Sequence, residues 1–180
     1  VLKGRDVDLG RDVAVKVLLE KHRDSPEMIR RFVEEAQIAG QLQHPGIIPV
    51  YELGRLPDER LYIAMKLIRG RTLAALLESR SDANEDRPRY LAIFEQLCQA
   101  MAYAHDCGVI HRDLKPSNVM AGGFGEVQVM DWGLAKVIDQ GGVADEERSL
   151  RSQAEIETVR TLRTGSSANE SRAGSVLGTP

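Results

Sequence analysis

One charged loop constrains the fold of this chain more than any other feature of its sequence. The loop runs from His111 to Asn118 (HRDLKPSN), and Asp131-Trp132-Gly133 follows thirteen residues after Asn118. An isolated Asn or Asp in a loop usually only forms a turn. The order and spacing of these polar residues therefore carry the information, and they indicate a functional site.

The part of the chain before this loop is predicted to contain short strands and one helix. Residues Asp12 to Leu19 (DVAVKVLL) alternate with a period of two, which predicts a strand paired with Val1 to Arg5 in a hairpin. Ser25 as N-cap and Pro26 at the first helical position predict a helix that ends between residues 40 and 44. One face of that helix is expected to carry Phe32, Glu35, Ala36 and Ala39. Two strands (47–52 and 61–67) and a short helix (72–78) are predicted next.

The longest helical pattern runs from about Pro88 to Cys107, and Gly108 is placed to end it. One stripe of this helix is expected to face the core: Leu91, Phe94, Cys98, Met101 and His105. Three short strands (109–110, 118–120 and 126–130) are predicted after it, the last two joined by a glycine turn. A small β-rich part with one helix thus precedes a helical part, which predicts two lobes.

The overall composition excludes several classes of protein. Twenty-four Lys and Arg against 27 Asp and Glu give a net charge of −3, which argues against a nucleic-acid-binding module. No apolar run approaches the ~18 residues of a membrane span, and the first twenty residues contain no signal-peptide core. Cys98 is expected in the core and Cys107 at a helix end, roughly 13 Å apart along one helix. That separation exceeds the reach of a disulfide and indicates a reducing compartment.

The last 42 residues, 139–180, differ in composition from the rest. They contain no aromatic residue and no lysine, but ten Ser or Thr. Such a segment buries too little apolar surface to offset its ordering entropy, so it is expected to be largely mobile, with a weak helix at most at 151–162. Because the chain opens on Val1 and stops at Gly178-Thr179-Pro180, we expect it to be a fragment.

Taken together, these motifs resemble the protein kinase family, specifically the bacterial Ser/Thr protein kinases of the eukaryotic type. The motifs are Val13-Ala14-Val15-Lys16, Glu35, the HRDLKPSN loop and Asp131-Trp132-Gly133, and the phrase GEVQVMDWGLAK (125–136) is similar to planctomycete members. The resemblance covers residues 1 to about 138, and 178–180. It implies an α+β, protein-kinase-like two-lobe fold, truncated. Its parts would be a small antiparallel β lobe with one helix (1–67), the start of a mainly helical larger lobe (68–138) and an extended activation segment (139–180).

The resemblance assigns catalytic roles to four side chains. Lys16 is expected to hold the α- and β-phosphates of ATP, and Glu35 to fix its ammonium group. Asp113 is expected to accept or orient the proton of the attacking hydroxyl. Lys115 is expected to steady the γ-phosphate, which favours Ser or Thr over Tyr as acceptor. Without the motifs, a strand lysine and a helix glutamate are ordinarily solvated, as we expect for the neighbouring Glu34.

The same resemblance implies ATP and Mg²⁺ as cofactors. Asn118 and Asp131 are the expected oxygen ligands of Mg²⁺, a hard cation that also takes phosphate oxygens and water. The expected adenine pocket is apolar, with Met65 at its back, and its residues are Val1, Ala14, Met65, Leu67 and Met120. The backbone around Leu67 is expected to form hydrogen bonds with the base.

Protein substrates that carry Ser or Thr are also implied, together with control by phosphorylation. Arg112, which precedes the catalytic Asp, is expected to clamp a phosphate bidentately. The Ser and Thr residues of 139–180 are the candidates for autophosphorylation. We expect no nucleic-acid partner, no membrane segment in this stretch and a cytoplasmic kinase domain, with an anchor elsewhere in the gene left open.

Two alternatives stay open beside the kinase interpretation. A pseudokinase would bind nucleotide or act as a scaffold without transfer, but the sequence keeps every expected catalytic residue: Lys16, Glu35, Asp113, Asn118 and Asp131. A small-molecule phosphotransferase of similar fold is disfavoured by Arg112, Lys115 and the Ser/Thr-rich segment. The departures from the family pattern are Trp132 in place of Phe, Lys66 in place of an acid, a long segment before Gly178, and the absence of the Gly-rich loop and the Ala-Pro-Glu motif.

Overall fold

A four-stranded antiparallel sheet forms the first lobe in the computed structural model, which describes residues 1–138. The strands are β1 (Leu2–Asp6), β2 (Arg11–Val17), β3 (Val50–Arg55) and β4 (Leu61–Lys66), in the order β1-β2-β4-β3. The predicted hairpin of β1 and β2 is confirmed. In β2, Ala14 lies opposite Met65 and Lys16 opposite Ile63. Because residues two apart share a face of a strand, Ala14 and Lys16 point to the same side of the sheet.

Helix α1 (Pro26–Gln41) packs against this sheet and begins and ends where the sequence predicts. The hydroxyl of Ser25 accepts a hydrogen bond from the backbone N–H of Met28 at 3.5 Å, as an N-cap should. Phe32, Ala36 and Ala39 are buried, as expected. The expectation that Glu34 is solvated is wrong. Glu34 is buried, and its charge is compensated by Arg30 one turn earlier, at 3.2 Å.

Within the described residues, the second lobe contains two helices, five short strands and one of the two 3₁₀ turns. The helices are α2 (Leu73–Glu78) and α3 (Arg87–Asp106), and the strands are β5 (Gly70–Thr72), β6 (Val109–Ile110), β7 (Val119–Gly122), β8 (Val127–Val129) and β9 (Lys136–Val137). The 3₁₀ turns are Glu20–His22 in the first lobe and Pro116–Asn118 here. The strands form the sheets β5-β7-β8 and β6-β9. Strands β5 and β9 were not predicted from the sequence.

Helix α3 turns a different face to the core from the predicted one. Its buried residues are Ile93, Leu97, Ala100, Met101 and Ala104. Of the predicted stripe only Met101 is buried, whereas Leu91, Phe94, Cys98 and His105 are exposed. Cys107 at the helix end is buried instead of Cys98. The packed face carries alanines because a backbone approaches it closely: a Cβ on Gly46 would lie 2.8 Å from the Cβ of Ala100.

The loop between α1 and β3 connects the two lobes. Its Gly46 carbonyl accepts a hydrogen bond from the N–H of Val129 at 2.8 Å, and the N–H of Ile48 donates to the Val129 carbonyl at 3.3 Å. The side chain of Ile47 is 1% exposed and belongs to a core cluster that contains second-lobe residues together with Ile38, Ala39 and Leu42 from α1 and its C-terminal end. The cleft between the first sheet and the β7–β8 hairpin is therefore bounded by two lobes in direct contact.

No helix within residues 1–138 combines the length and the apolar character that crossing a bilayer requires. The expectations of a mobile segment, a weak helix at 151–162 and phosphorylation sites concern residues 139–180, outside the described part of the chain.

Candidate active site

The ammonium group of Lys16 lies between two carboxylates that come from different lobes. Its Nζ is 2.5 Å from Oε1 of Glu35 on α1 and 3.5 Å from Oδ1 of Asp131, which follows β8. The sheet fixes the direction of Lys16, and the helix phase fixes that of Glu35, whose neighbours Phe32 and Ala36 are buried. The structure thus brings together three of the residues that the sequence analysis singled out.

Burial raises the pKa of Glu35 above its usual range, and the Lys16 ammonium only partly opposes this effect. The carboxylate of Asp131 raises it further. Only 13% of the Glu35 side chain is exposed, against 52% of Asp131. Glu35 therefore depends on Lys16 for its ionised form, and the two side chains act as a unit.

The charged loop presents a second ion pair beside the first. Asp113 is buried, and its Oδ2 lies 3.1 Å from Nζ of Lys115. The 3₁₀ turn that follows positions Asn118, whose Nδ2 donates to the Asp113 carbonyl at 2.9 Å and to its Oδ2 at 3.2 Å. These contacts hold the Asp113 carboxylate in one orientation.

The imidazole of His111 links the two loops that carry the acids. Its Nε2 donates to the carbonyl of Met130 at 3.0 Å, and its Nδ1 accepts from the N–H of Asp113 at 3.3 Å. The ring also lies 4.7 Å from that of Trp132. Burial lowers the pKa of His111, in keeping with the neutral tautomer that this bonding pattern requires. The sequence analysis assigned His111 no role, and only its place within the motif could have suggested one.

Two residues of the site adopt left-handed backbone conformations that non-glycine residues seldom use. These are Arg112, with φ of 64°, and Asp131, with φ of 61°. Arg112 is held by a hydrogen bond from its Nε to the carbonyl of Leu134, at 2.6 Å. Such conformations cost free energy and persist where the surrounding contacts over-determine them, typically at functional sites.

A cavity of about 410 Å³ opens between the lobes next to Lys16. Nine residues predicted for the site line it: Val1, Ala14, Lys16, Glu35, Met65, Leu67, Asn118, Met120 and Asp131. Asp113 and Lys115 do not line it, but Asn118 connects them to it. The cavity also has a deeper apolar part that was not predicted, formed by Ala36, Ala39, Ile48, Val50 and Trp132. Its size and lining suit a small planar molecule.

The possible cation ligands at this cavity are few. Asn118 and Asp131 both line it, and residues 1–138 contain no cluster of three or more His, Cys, Asp or Glu side chains that could enclose a metal. Mg²⁺ is usually bound by one or two carboxylates together with substrate phosphates and water, so two protein oxygens fit it. Because the amide nitrogen of Asn118 points to Asp113, its amide oxygen is the ligand this side chain would supply.

Comparison with known proteins gives a consistent result. Residues 1–154 match the family model described as protein kinase domain. The chain is 39% identical over 152 residues to the serine/threonine-protein kinase PknD of Protochlamydia amoebophila, an alignment that covers 79% of this chain and 15% of that protein. It is 36% identical over 138 residues to the serine/threonine-protein kinase PrkC of Bacillus subtilis, covering 77% of this chain and 21% of that protein. The chain thus spans about a fifth or less of the length of these relatives. With its two-lobe fold, it belongs to the protein kinase family, among the bacterial Ser/Thr kinases of the eukaryotic type.

Proposed function

We propose that this chain is the nucleotide-binding and catalytic part of a protein kinase that transfers the γ-phosphate of ATP to Ser and Thr hydroxyls of proteins. The observation that carries the proposal is the ammonium of Lys16, which lies within 3.5 Å of both Glu35 and Asp131 at an apolar cavity. In this proposal residues 1–67 are the small lobe, residues 68–138 begin the larger lobe and residues 139–180 are the activation segment.

The cavity supports binding of a nucleotide with its base inward. The apolar side chains of Ala14, Met65 and Met120 would cover the two faces and the inner edge of adenine. Lys16 would bind the α- and β-phosphates, because Glu35 holds its ammonium at that end of the cavity. Asn118 and Asp131 would hold Mg²⁺, which neutralises phosphate charge when it is bound.

The catalytic step assigned to this chain is the orientation of the acceptor hydroxyl. Asp113 would accept the hydroxyl proton, and the hydrogen bond from Asn118 keeps its carboxylate fixed while it does so. Lys115, 3.1 Å from that carboxylate, would place a positive charge next to the transferred phosphate. Positioning and charge are the two contributions that phosphoryl transfer requires of a protein.

The Asp113→Asn variant of the intact protein tests this assignment. We expect the rate of transfer to a Ser/Thr substrate to fall about 10²- to 10⁴-fold, because the proton acceptor is lost. The Kd for ATP should change less than about twofold, since Asp113 does not line the cavity. Transfer is measured with γ-labelled ATP, binding by titration, and the matched control is Glu95→Gln on the exposed side of α3. Equal turnover of Asp113→Asn and the unmutated protein would overturn the role of Asp113.

A further inference from the structure

A cluster of basic side chains lies near the cavity, beside the linker that joins β4 of the first lobe to β5 of the second (residues 67–69). We call it the basic rim and define it by Lys3, Arg5, Arg69, Arg71 and one acid, Asp12. Three cations surround that acid: Lys3 Nζ at 2.8 Å, Arg5 Nη1 at 2.9 Å and Arg69 Nη2 at 3.5 Å from its oxygens. Four positive charges against one negative charge leave the basic rim with a net charge of +3.

The basic rim continues the wall of the cavity. Lys3 lies opposite Ala14, and Arg5 lies opposite Asp12, in the β1–β2 pair. Residues that lie opposite each other in an antiparallel pair share a face of the sheet, so these cations extend from the face on which Ala14 lines the cavity. Arg69 reaches the same carboxylate from the linker. The positive charge around Asp12 therefore extends from β1 to the linker.

The distance from the basic rim to the catalytic loop follows from the sheet register. Arg71 on β5 lies opposite Ala121 on β7, three residues beyond Asn118, whose side chain binds Asp113. Three residues of a strand span about 10 Å, and neighbouring strands lie about 5 Å apart. The backbone of Arg71 therefore lies roughly 10–15 Å from Asp113. An extended peptide covers that distance in about three to five residues.

The cations of the basic rim are available to a partner. The side chains of Lys3, Arg5 and Arg69 are 64%, 60% and 83% exposed. Arg71 is exposed, and hydrogen bonds to the Ala75 carbonyl at 2.6 Å and to the Ser79 hydroxyl at 3.4 Å hold its guanidinium against α2. Glu78, the acid of α2, directly precedes the Ser79 that Arg71 contacts. The hydrogen bonds from Lys3 and Arg5 lower the pKa of Asp12 to about 2, so the count of charges holds throughout the physiological range.

We propose that the basic rim binds acidic residues of the protein substrate, three to five positions from the Ser or Thr that receives the phosphate. This inference rests on the proposed function and specifies its substrate class. Each exposed ion pair contributes about a two- to fivefold gain in affinity, so two or three of them together give about a tenfold preference. The preference should weaken with salt, because exposed charges are screened.

Two Ser peptides that differ only at the positions three to five residues from the acceptor test the proposal. One carries Glu there and the other carries Gln, and kcat/KM is measured with the intact protein, Mg²⁺ and ATP. We expect the acidic peptide to be preferred about tenfold at ~50 mM salt and less at ~500 mM. Arg69→Glu should reduce the preference to about twofold or less while kcat/KM for the neutral peptide stays unchanged. Arg71→Gln should reduce it in part, and it serves as the second variant if Arg69→Glu fails to fold.

The matched control is Arg55→Glu, since Arg55 is an exposed arginine at the far end of β3 that pairs with Glu59. This variant should keep the full preference. The role of the basic rim would be overturned if the unmutated protein turned over the two peptides equally, or if Arg69→Glu and Arg71→Gln both kept the full preference. Either result would leave the proposed kinase function intact. No transfer to either peptide would overturn the proposed function, and the role of the rim with it.

Discussion

At the scale of single residues, the site depends on His111 as much as on the acids that it positions. The neutral imidazole bridges the Met130 carbonyl and the Asp113 N–H, and so connects the loops that carry Asp131 and Asp113, the proposed metal-binding and catalytic carboxylates. A protonated ring would still donate to the Met130 carbonyl, but its Nδ1 would carry a hydrogen and could no longer accept the hydrogen bond from the Asp113 N–H. Protonation of His111 is therefore incompatible with the observed arrangement of the two loops.

The lowered pKa of His111 predicts a pH-dependent stability. The unfolded chain binds a proton at this residue near pH 6.5 and the folded chain only below that, so the contribution is complete above pH 6.5. It is lost as the pH falls through 6.5 toward the lowered folded pKa. Denaturant unfolding at several pH values should show this loss, and His111→Gln should remove it. His105→Gln, at an exposed position on α3, should retain the slope. The same slope in His111→Gln and the unmutated protein would refute this explanation.

The acids and the lysine of the site were predictable because their chemistry depends on residue type and spacing. Lys16, Glu35 and Asp131 come together as those motifs suggest. Glu34 could not be predicted in the same way, because its burial depends on packing and its charge is compensated by Arg30, which has no motif. The local sequence specifies which ionisable side chains are present, but tertiary contacts determine which of them are buried.

At the scale of elements, the short strand β5 connects the linker to the β5-β7-β8 sheet of the second lobe. It pairs with β7 so closely that a Cβ on Gly70 would overlap the carbonyl of Ala121. This close approach, rather than an unusual backbone angle, is the reason for glycine at the position. Because β7 begins directly after Asn118, the β5–β7 pair also fixes the position of the charged loop that ends at Asn118.

The Gly70→Ala substitution should destabilise the protein. We expect a loss of about 1–3 kcal/mol in the free energy of unfolding, because the added methyl group meets backbone rather than a movable side chain. Gly123→Ala in the β7–β8 turn is the control, since a Cβ there meets nothing within 4 Å. Chemical denaturation of both variants measures the difference. Equal stability of the two would show that the β5–β7 contact is not close in solution.

Helix α3 shows why element boundaries were more predictable than element orientation. Its predicted limits differ from the observed ones by one residue at each end, since Gly108, with φ of 76°, ends the helix as expected. The predicted buried stripe was nevertheless wrong for Phe94 and Cys98. The helix has apolar residues on two sides, and only the approach of the loop at Gly46 selects the side with alanines.

At the scale of the whole molecule, the two lobes are coupled through the loop that contains Ile47. The loop leads from the helix of one lobe to a strand of the same lobe, and the Ile47 side chain lies in a core cluster that both lobes share. The contact between this loop and the second lobe therefore fixes the inner end of the cleft. Opening of the lobes is expected to pivot at this end and at the linker.

Truncation of Ile47 should weaken this connection. Ile47→Ala should cost about 2–5 kcal/mol of unfolding free energy, because it creates a cavity in a buried position. ATP binding should also weaken, since both walls of the cleft depend on the contact between the lobes. Leu19→Ala, at a position 59% exposed, should change stability by less than about 0.5 kcal/mol. An Ile47→Ala protein as stable as the Leu19→Ala protein would contradict the coupling.

In the proposed function, Lys16, Glu35 and Asp131 form a phosphate-binding centre next to a catalytic Asp113. The most direct measurement is the transfer of label from γ-labelled ATP to Ser or Thr by the intact protein, with Lys16→Met alongside. We expect label on Ser or Thr that depends on Mg²⁺ and falls by several powers of ten in Lys16→Met. Binding of ATP without any transfer, or transfer at an equal rate by Lys16→Met, would contradict it.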